Sequence, residues 1–129
     1  MKTKEDYINY KLKKADEALK EAQLLLENNF NDAAISRLYY AAFYAISALL
    51  INLNLNPKTH QGVKSLFNKE FIFTGKLDEE FSDFYTLLMA KRHEADYENF
   101  SFISKRKIPD YITKTKQLIE LAKQQLASK

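Results

Sequence analysis

Residues 31–54, NDAAISRLYYAAFYAISALLINLN, constrain this chain more than any other stretch. Between Ala33 and Ile51 the single charged residue is Arg37. Wound into a helix, the stretch presents apolar or aromatic side chains on every face, and such a helix has to be enclosed by others. Its uncharged run from Leu38 to Ile51 falls short of the roughly 20 residues a membrane span needs, and three tyrosines and Ser47 lie within it. The expectation is a buried axis in a small helical bundle, with no membrane involved. Arg37 is then the side chain on that axis that must find a partner.

The rest of the composition fits such a bundle. A length of 129 residues is enough for one domain, 1–129, whose core needs no cross-links. The presence of only two Gly and two Pro argues against long irregular loops and a many-turned all-β fold. The absence of Cys removes disulfides, thiolate metal sites and cysteine nucleophiles together. The first residues, MKTKEDYINYKLKK, contain no apolar run of the kind a secretory leader needs, so a cytoplasmic location is expected. Charge is unevenly spread: residues 61–100 carry five basic and eight acidic side chains, and residues 101–129 carry seven basic and two acidic. The C-terminal segment, with Lys105, Arg106 and Lys107 in a row, is the candidate electrostatic footprint for nucleic acid; a solvated lysine-rich helix face explains the charge equally well.

Periodicity divides the chain into helices. Ile8, Leu12, Ala15, Leu19, Ala22 and Leu26 recur in steps of four and three, an apolar stripe on a long first helix. Asn28 and Asn29 can end it in the left-handed conformation, and Asn31 or Asp32 can cap the axis helix. So short a link makes the first two helices antiparallel. The axis ends before Pro57. Thr59 can cap a short helix from His60 to about Phe71, and Asp78 a fourth helix that points Leu77, Phe81, Phe84, Tyr85, Leu88 and Met89 inward. A last helix, starting near Pro109, carries Ile108, Ile112, Thr115, Ile119, Ala122 and Leu126. The predicted architecture is all-α: an antiparallel bundle of four long helices plus one short one.

Sites of chemistry are sparse. There is no Gly-rich phosphate loop and no nucleophile elbow. His60 and His93 are not at metal-ligand spacing, so no metal and no cofactor is expected. The informative segment is Lys91-Arg92-His93-Glu94-Ala95-Asp96-Tyr97. Arg92 continues the stripe of Phe81, Tyr85, Leu88 and Met89, so it must leave the protein or meet an acid, and Asp96 at i+4 is the nearest. Were the axis antiparallel to the fourth helix as well, Arg37, Tyr40, Arg92, Asp96 and Tyr97 would form one polar cluster at an end of the bundle.

SRLYYAAFYAISALL, then PKTHQGVKSLF, a TGKLD turn and KRHEADY, in this order and spacing, resemble the HEPN superfamily of small helical proteins over roughly residues 32–97. The resemblance implies a bundle of four or five helices, a homodimer, and pairing with a minimal nucleotidyltransferase antitoxin in a toxin–antitoxin module. It also implies RNA or nucleotide as ligand. Many members are metal-independent ribonucleases that use an Arg-x(4–6)-His motif, in which the imidazole moves a proton at the ribose 2′-hydroxyl and the arginine holds the phosphate. Arg92 matches the arginine, but the position five residues later is Tyr97, and a tyrosine is protonated at neutral pH. The resemblance therefore assigns Arg92, Asp96 and Tyr97 to the catalytic position; with the polar cluster and the basic segment beside them, Arg37, Tyr40, His93, Lys105, Arg106 and Lys107 are the candidates for RNA or nucleotide binding. By analogy Tyr97 is also a candidate for adenylylation by the partner. His60 matches the family pattern and is expected to pack at the start of the short helix. Three readings stay open: a toxin-like RNA-binding or RNA-cleaving dimer, a non-catalytic module acting with a nucleotidyltransferase, and a purely structural dimerisation domain.

Overall fold

A computed structural model describes residues 1–97 and 105–127, without the side chains of Asp96 and Tyr97. Its α-helices are α1 (Lys4–Glu27), α2 (Asn31–Asn52), α3 (His60–Phe67), α4 (Glu79–Tyr97) and α5 (Ile108–Ala127). A π-helical turn, Asn68–Ile72, extends α3, and a 3₁₀ turn, Lys105–Lys107, leads into α5. The all-α bundle expected from the periodicity is what the chain adopts, and α2 is its axis: α1, α3, α4 and α5 all pack against it. By length and composition α2 could cross a membrane. The bundle accounts for its apolar character, because Ala34, Ile35, Leu38, Tyr39, Ala42, Ile46, Leu49 and Leu50 are all buried among the other helices.

Side-chain pairs fix the direction of the helices. Lys4 Nζ donates to the Asn52 carbonyl at 3.1 Å, Lys11 lies over the Tyr44 ring, and Arg37 pairs with Glu21. As the position on α1 rises, the position on α2 falls, so the two helices are antiparallel. The link between them depends on Asn29, whose φ of 65° lets the chain reverse within three residues. On the far side Lys114 meets Glu80 and Tyr111 meets Phe84, which sets α5 antiparallel to α4. Lys123 closes the bundle by pairing with Asp16 of α1 at 3.1 Å.

Several local expectations change. The cap position of α2 is Phe30, with no side-chain cap, rather than Asn31 or Asp32; Asn31 already lies in the helix, its Oδ1 buried without a hydrogen-bond partner. The axis stops at Asn52, and Asn54, at φ 63°, belongs to the turn that follows. The short helix reaches Phe67 before widening into the π turn; Phe67 and Phe71, four apart, are buried by either geometry, so the spacing could not separate them. Thr59 does cap α3, its Oγ1 accepting from the Gly62 amide at 2.9 Å, and Asp78 Oδ1 accepts from the Glu80 amide at the start of α4. Packing around Gly62 is tight: a Cβ there would lie 3.0 Å from Thr59 Oγ1 and 3.1 Å from Pro57 Cβ, so a neighbour would have to give by a few tenths of an ångström. Pro109 sits in the first turn of α5, as expected.

Candidate functional site at the Arg92 end of the bundle

The site begins with a pair of adjacent tyrosines on α2. Tyr39 faces inward and is fully buried, whereas Tyr40, one step of about 100° around the helix, is half-buried. A buried tyrosine needs a partner for its hydroxyl. Tyr39 has two: the Tyr85 hydroxyl of α4 donates to it at 3.3 Å, and His60 Nδ1 lies 2.6 Å away on the other side. The Tyr39 and Tyr85 rings stack with centroids 5.6 Å apart, locking α2 to α4 at this level.

Arg92 is laid across this pair. Its Cζ is 5.3 Å from the Tyr39 ring centroid and 5.2 Å from that of Tyr40, within range of the cation–π attraction. The side chain is half-buried and its Nε is shut off from solvent. Arg37 approaches the same Tyr40 ring, with Cζ at 5.4 Å, while its Nε donates to Glu21 Oε1 at 3.1 Å. The partner Arg37 needs thus comes from α1, on the polar side of that helix's stripe, where the periodicity gave no sign of it.

Electrostatics follow from burial. Desolvation raises the Tyr39 hydroxyl above the usual tyrosine range, outweighing the hydrogen bond from Tyr85 and the nearby Arg92 cation. Tyr85 is pushed higher still, first by burial and then by Tyr39. His60 is held below the ordinary histidine value, first by partial desolvation and second by Arg92, so its neutral form is favoured at physiological pH.

Of the expected cluster, Arg37, Tyr40 and Arg92 come together around one ring. Asp96 and Tyr97 fall in the last turn of α4, with side chains outside the described residues. His93 is exposed on α4, and Glu94 pairs with Lys91 at 3.6 Å. Lys105, Arg106 and Lys107 are exposed on the 3₁₀ turn, where Lys105 contacts the Asn29 side chain beside the α1–α2 turn. Measured along α2, that turn is roughly 15 Å from Tyr40. Among the described residues no three His, Asp or Glu side chains converge as a metal-binding group. Away from this site, an open hollow of about 690 Å³, lined by Lys4, Tyr7, Lys11, Ile51 and Leu55, lies where α1 begins and α2 ends.

The HEPN domain family matches this chain over residues 8–125. The chain belongs to the HEPN family. Among its relatives, a "UPF0332 protein" of Thermotoga maritima is 37% identical over 120 residues, 93% of this chain and 91% of the relative. A protein of Methanocaldococcus jannaschii named "Putative toxin" is 36% identical over 118 residues, 92% of this chain and 80% of the relative. A second protein of that organism, also named "Putative toxin", is 40% identical over 83 residues, 64% of this chain and 62% of the relative. What sequence reasoning missed at this site is the set of residues that hold it: Glu21, Tyr39, Tyr85 and the contact of His60 with Tyr39. The available signal was the pair Tyr39-Tyr40, since one of two adjacent tyrosines on an all-apolar helix must be buried and so requires a polar partner.

Proposed function

We propose that this HEPN chain is a toxin-like protein that binds RNA at the Arg92 end of its bundle. In this reading it works in the cytoplasm as a homodimer, in a module with a nucleotidyltransferase antitoxin. The observation that carries the reading is the Arg92 guanidinium held across Tyr39 and Tyr40. A cation beside a partly open aromatic ring offers charge to a phosphate and a stacking face to a base, the two elements of single-strand recognition. The basic turn Lys105–Lys107, on the side of the α1–α2 turn, extends the positive surface for a backbone longer than one nucleotide. The names of the relatives support the toxin-like character. Phe43, Tyr44 and Ile51 of α2 remain only partly covered, an apolar strip suited to a second copy, which would bring two Arg92 sites toward one cleft.

Cleavage is the finer part of the proposal: Arg92 stabilises charge on the phosphate while Asp96 and Tyr97 complete the site, without a metal. The residue type at position 97 favours a second reading, in which the chain binds RNA or nucleotide and leaves any chemistry to its partner. Fluorescence anisotropy with a labelled single-stranded RNA tests the binding. Affinity should fall steeply between 50 and 200 mM salt, each at about the ionic strengths where counterion release is evident. Arg92→Ala should weaken it at least tenfold, a loss of roughly 1.4 kcal/mol. Wild-type affinity in that variant would remove Arg92 from the site. Intact RNA at high protein concentration would leave the binding reading standing and remove cleavage.

A further inference from the structure

His60 is placed beside Arg92 by the fold rather than by sequence proximity. Its ring centroid lies 5.7 Å from that of Tyr39 and 6.3 Å from that of Tyr40, the two rings over which Arg92 is laid. Phe43, at 4.8 Å, closes the third side of the imidazole. The imidazole and the guanidinium therefore border the same aromatic floor, one reaching it from the start of α3 and the other from α4.

The hydrogen bonds determine which edge of His60 is on offer. Tyr85 donates its proton to Tyr39. Tyr39 has its own proton left to give, and His60 Nδ1, 2.6 Å away, is placed to accept it. A neutral imidazole that accepts at Nδ1 carries its proton on Nε2. His60 is exposed as a residue, and Nε2 is the ring nitrogen that the bond to Tyr39 leaves uncommitted. Thr59 caps the helix at this point and so fixes the backbone that carries the imidazole, while the ring itself rests against Tyr39 and Phe43.

We propose that His60 and Arg92 together form a phosphate-ester site, with Arg92 supplying the charge and His60 Nε2–H the second donor. The inference rests on the reading of Arg92 as the phosphate-binding arginine, and adds a member that lies outside the α4 motif. It gives this chain an imidazole at the site although none stands five residues after Arg92. The ionisable groups around His60 among the described residues are Tyr39 and Tyr40 from α2, and Arg92 and, behind Tyr39, Tyr85 from α4. A phosphate bound beside His60 would bring negative charge next to the imidazole. It would favour the protonated ring.

Histidine proton NMR tests this directly, because the chain has two histidines and His93→Gln identifies the remaining signal. The probes are a 2′-O-methyl hexanucleotide, which cannot be cleaved through its 2′-oxygen, and ATP. Saturating hexanucleotide should raise the His60 titration midpoint by about half a unit or more and leave His93 within about 0.2 of its own value. In Arg92→Ala the probe should no longer move His60. His60→Gln should bind the hexanucleotide roughly tenfold more weakly, as expected for losing one donor to a charged group. Movement with ATP but not with the oligonucleotide supports the site and assigns it to a nucleotide phosphate. Hexanucleotide binding, seen by anisotropy, with an unmoved His60 overturns this inference while the RNA reading survives. Failure of both probes to bind overturns the RNA reading and this inference together.

Discussion

Replacing Tyr39 with Phe isolates the hydroxyl on which the site is built. The ring keeps its stack on Tyr85, so little volume changes, but two hydrogen bonds disappear. The losses are unequal. His60 is exposed, and water can take the place of Tyr39 at Nδ1. Tyr85 is fully buried, and its hydroxyl has no other hydrogen-bond partner among the described residues, so it would be left unsatisfied in an apolar interior. Stranding a buried donor costs about 1–3 kcal/mol, which sets the expected loss at about 2 kcal/mol. For 129 residues the unfolding entropy near the midpoint is about 0.27 kcal/mol per degree, so Tm should fall by about 7 °C. Tyr85→Phe alone should cost less, about 1 kcal/mol, because Tyr39 keeps its bond to His60. The double replacement should cost at least about 1 kcal/mol less than the sum of the two, since removing both partners strands neither. Urea unfolding followed by circular dichroism at 222 nm measures all three. If Tyr39→Phe is within about 0.5 kcal/mol of wild type, or the two losses simply add, the buried hydroxyl chain is not what holds α2 to α4 here.

Other perturbations probe independent parts of the chain. Thr115 is fully buried with no partner for its Oγ1, so Thr115→Val should stabilise by about 1 kcal/mol in the same urea assay; a loss of stability would reveal a partner for the hydroxyl. Gly62→Ala should destabilise by about 1 kcal/mol despite alanine's better helix propensity, because the new methyl meets the capping Thr59 and the rigid Pro57; a rise in the urea midpoint would contradict that. Glu21→Ala breaks the ion pair to Arg37, but both side chains are at least a third exposed, so the change should stay under about 1 kcal/mol. The pH dependence of stability should carry the mark of His60. Its folded value lies below the unfolded one, near 6.5, so the contribution is complete above that pH and is lost as pH falls through the folded value. The slope of urea stability against pH below about 6.5 should therefore flatten in His60→Gln, and an unchanged slope would exclude His60 as its source.

How far the sequence revealed this molecule depends on which residues are considered. The axis, the stripes of α1 and α5 and the inward side of α4 were legible because burial repeats at the helical period. Ala18 and Leu118 escaped those stripes although both are buried: α1 and α5 each pack against α2 and against one another, so their covered faces are wider than one seam. The site was only half legible. Arg37 and Arg92 stood out as charges on apolar faces, and the structure brings both to Tyr40. Their surroundings did not, because Glu21 looks like any other charge on the outside of α1, and the contact between Tyr39 and His60 spans 21 positions and a turn through Pro57. Long-range polar contacts of this sort leave no period in the chain.

The way Arg92 is held has a consequence for recognition. A free arginine carries about 2 kcal/mol of rotamer entropy, and a ligand that must order it loses that much of its interaction energy. Stacked across Tyr39 and Tyr40, the guanidinium has already given up most of that freedom on folding. A phosphate arriving there meets a cation that is in position before contact, so more of the attraction is left to appear as affinity. The aromatic pair on the axis helix thus acts on the ligand without touching its phosphate, by lowering the disorder that binding would otherwise have to remove.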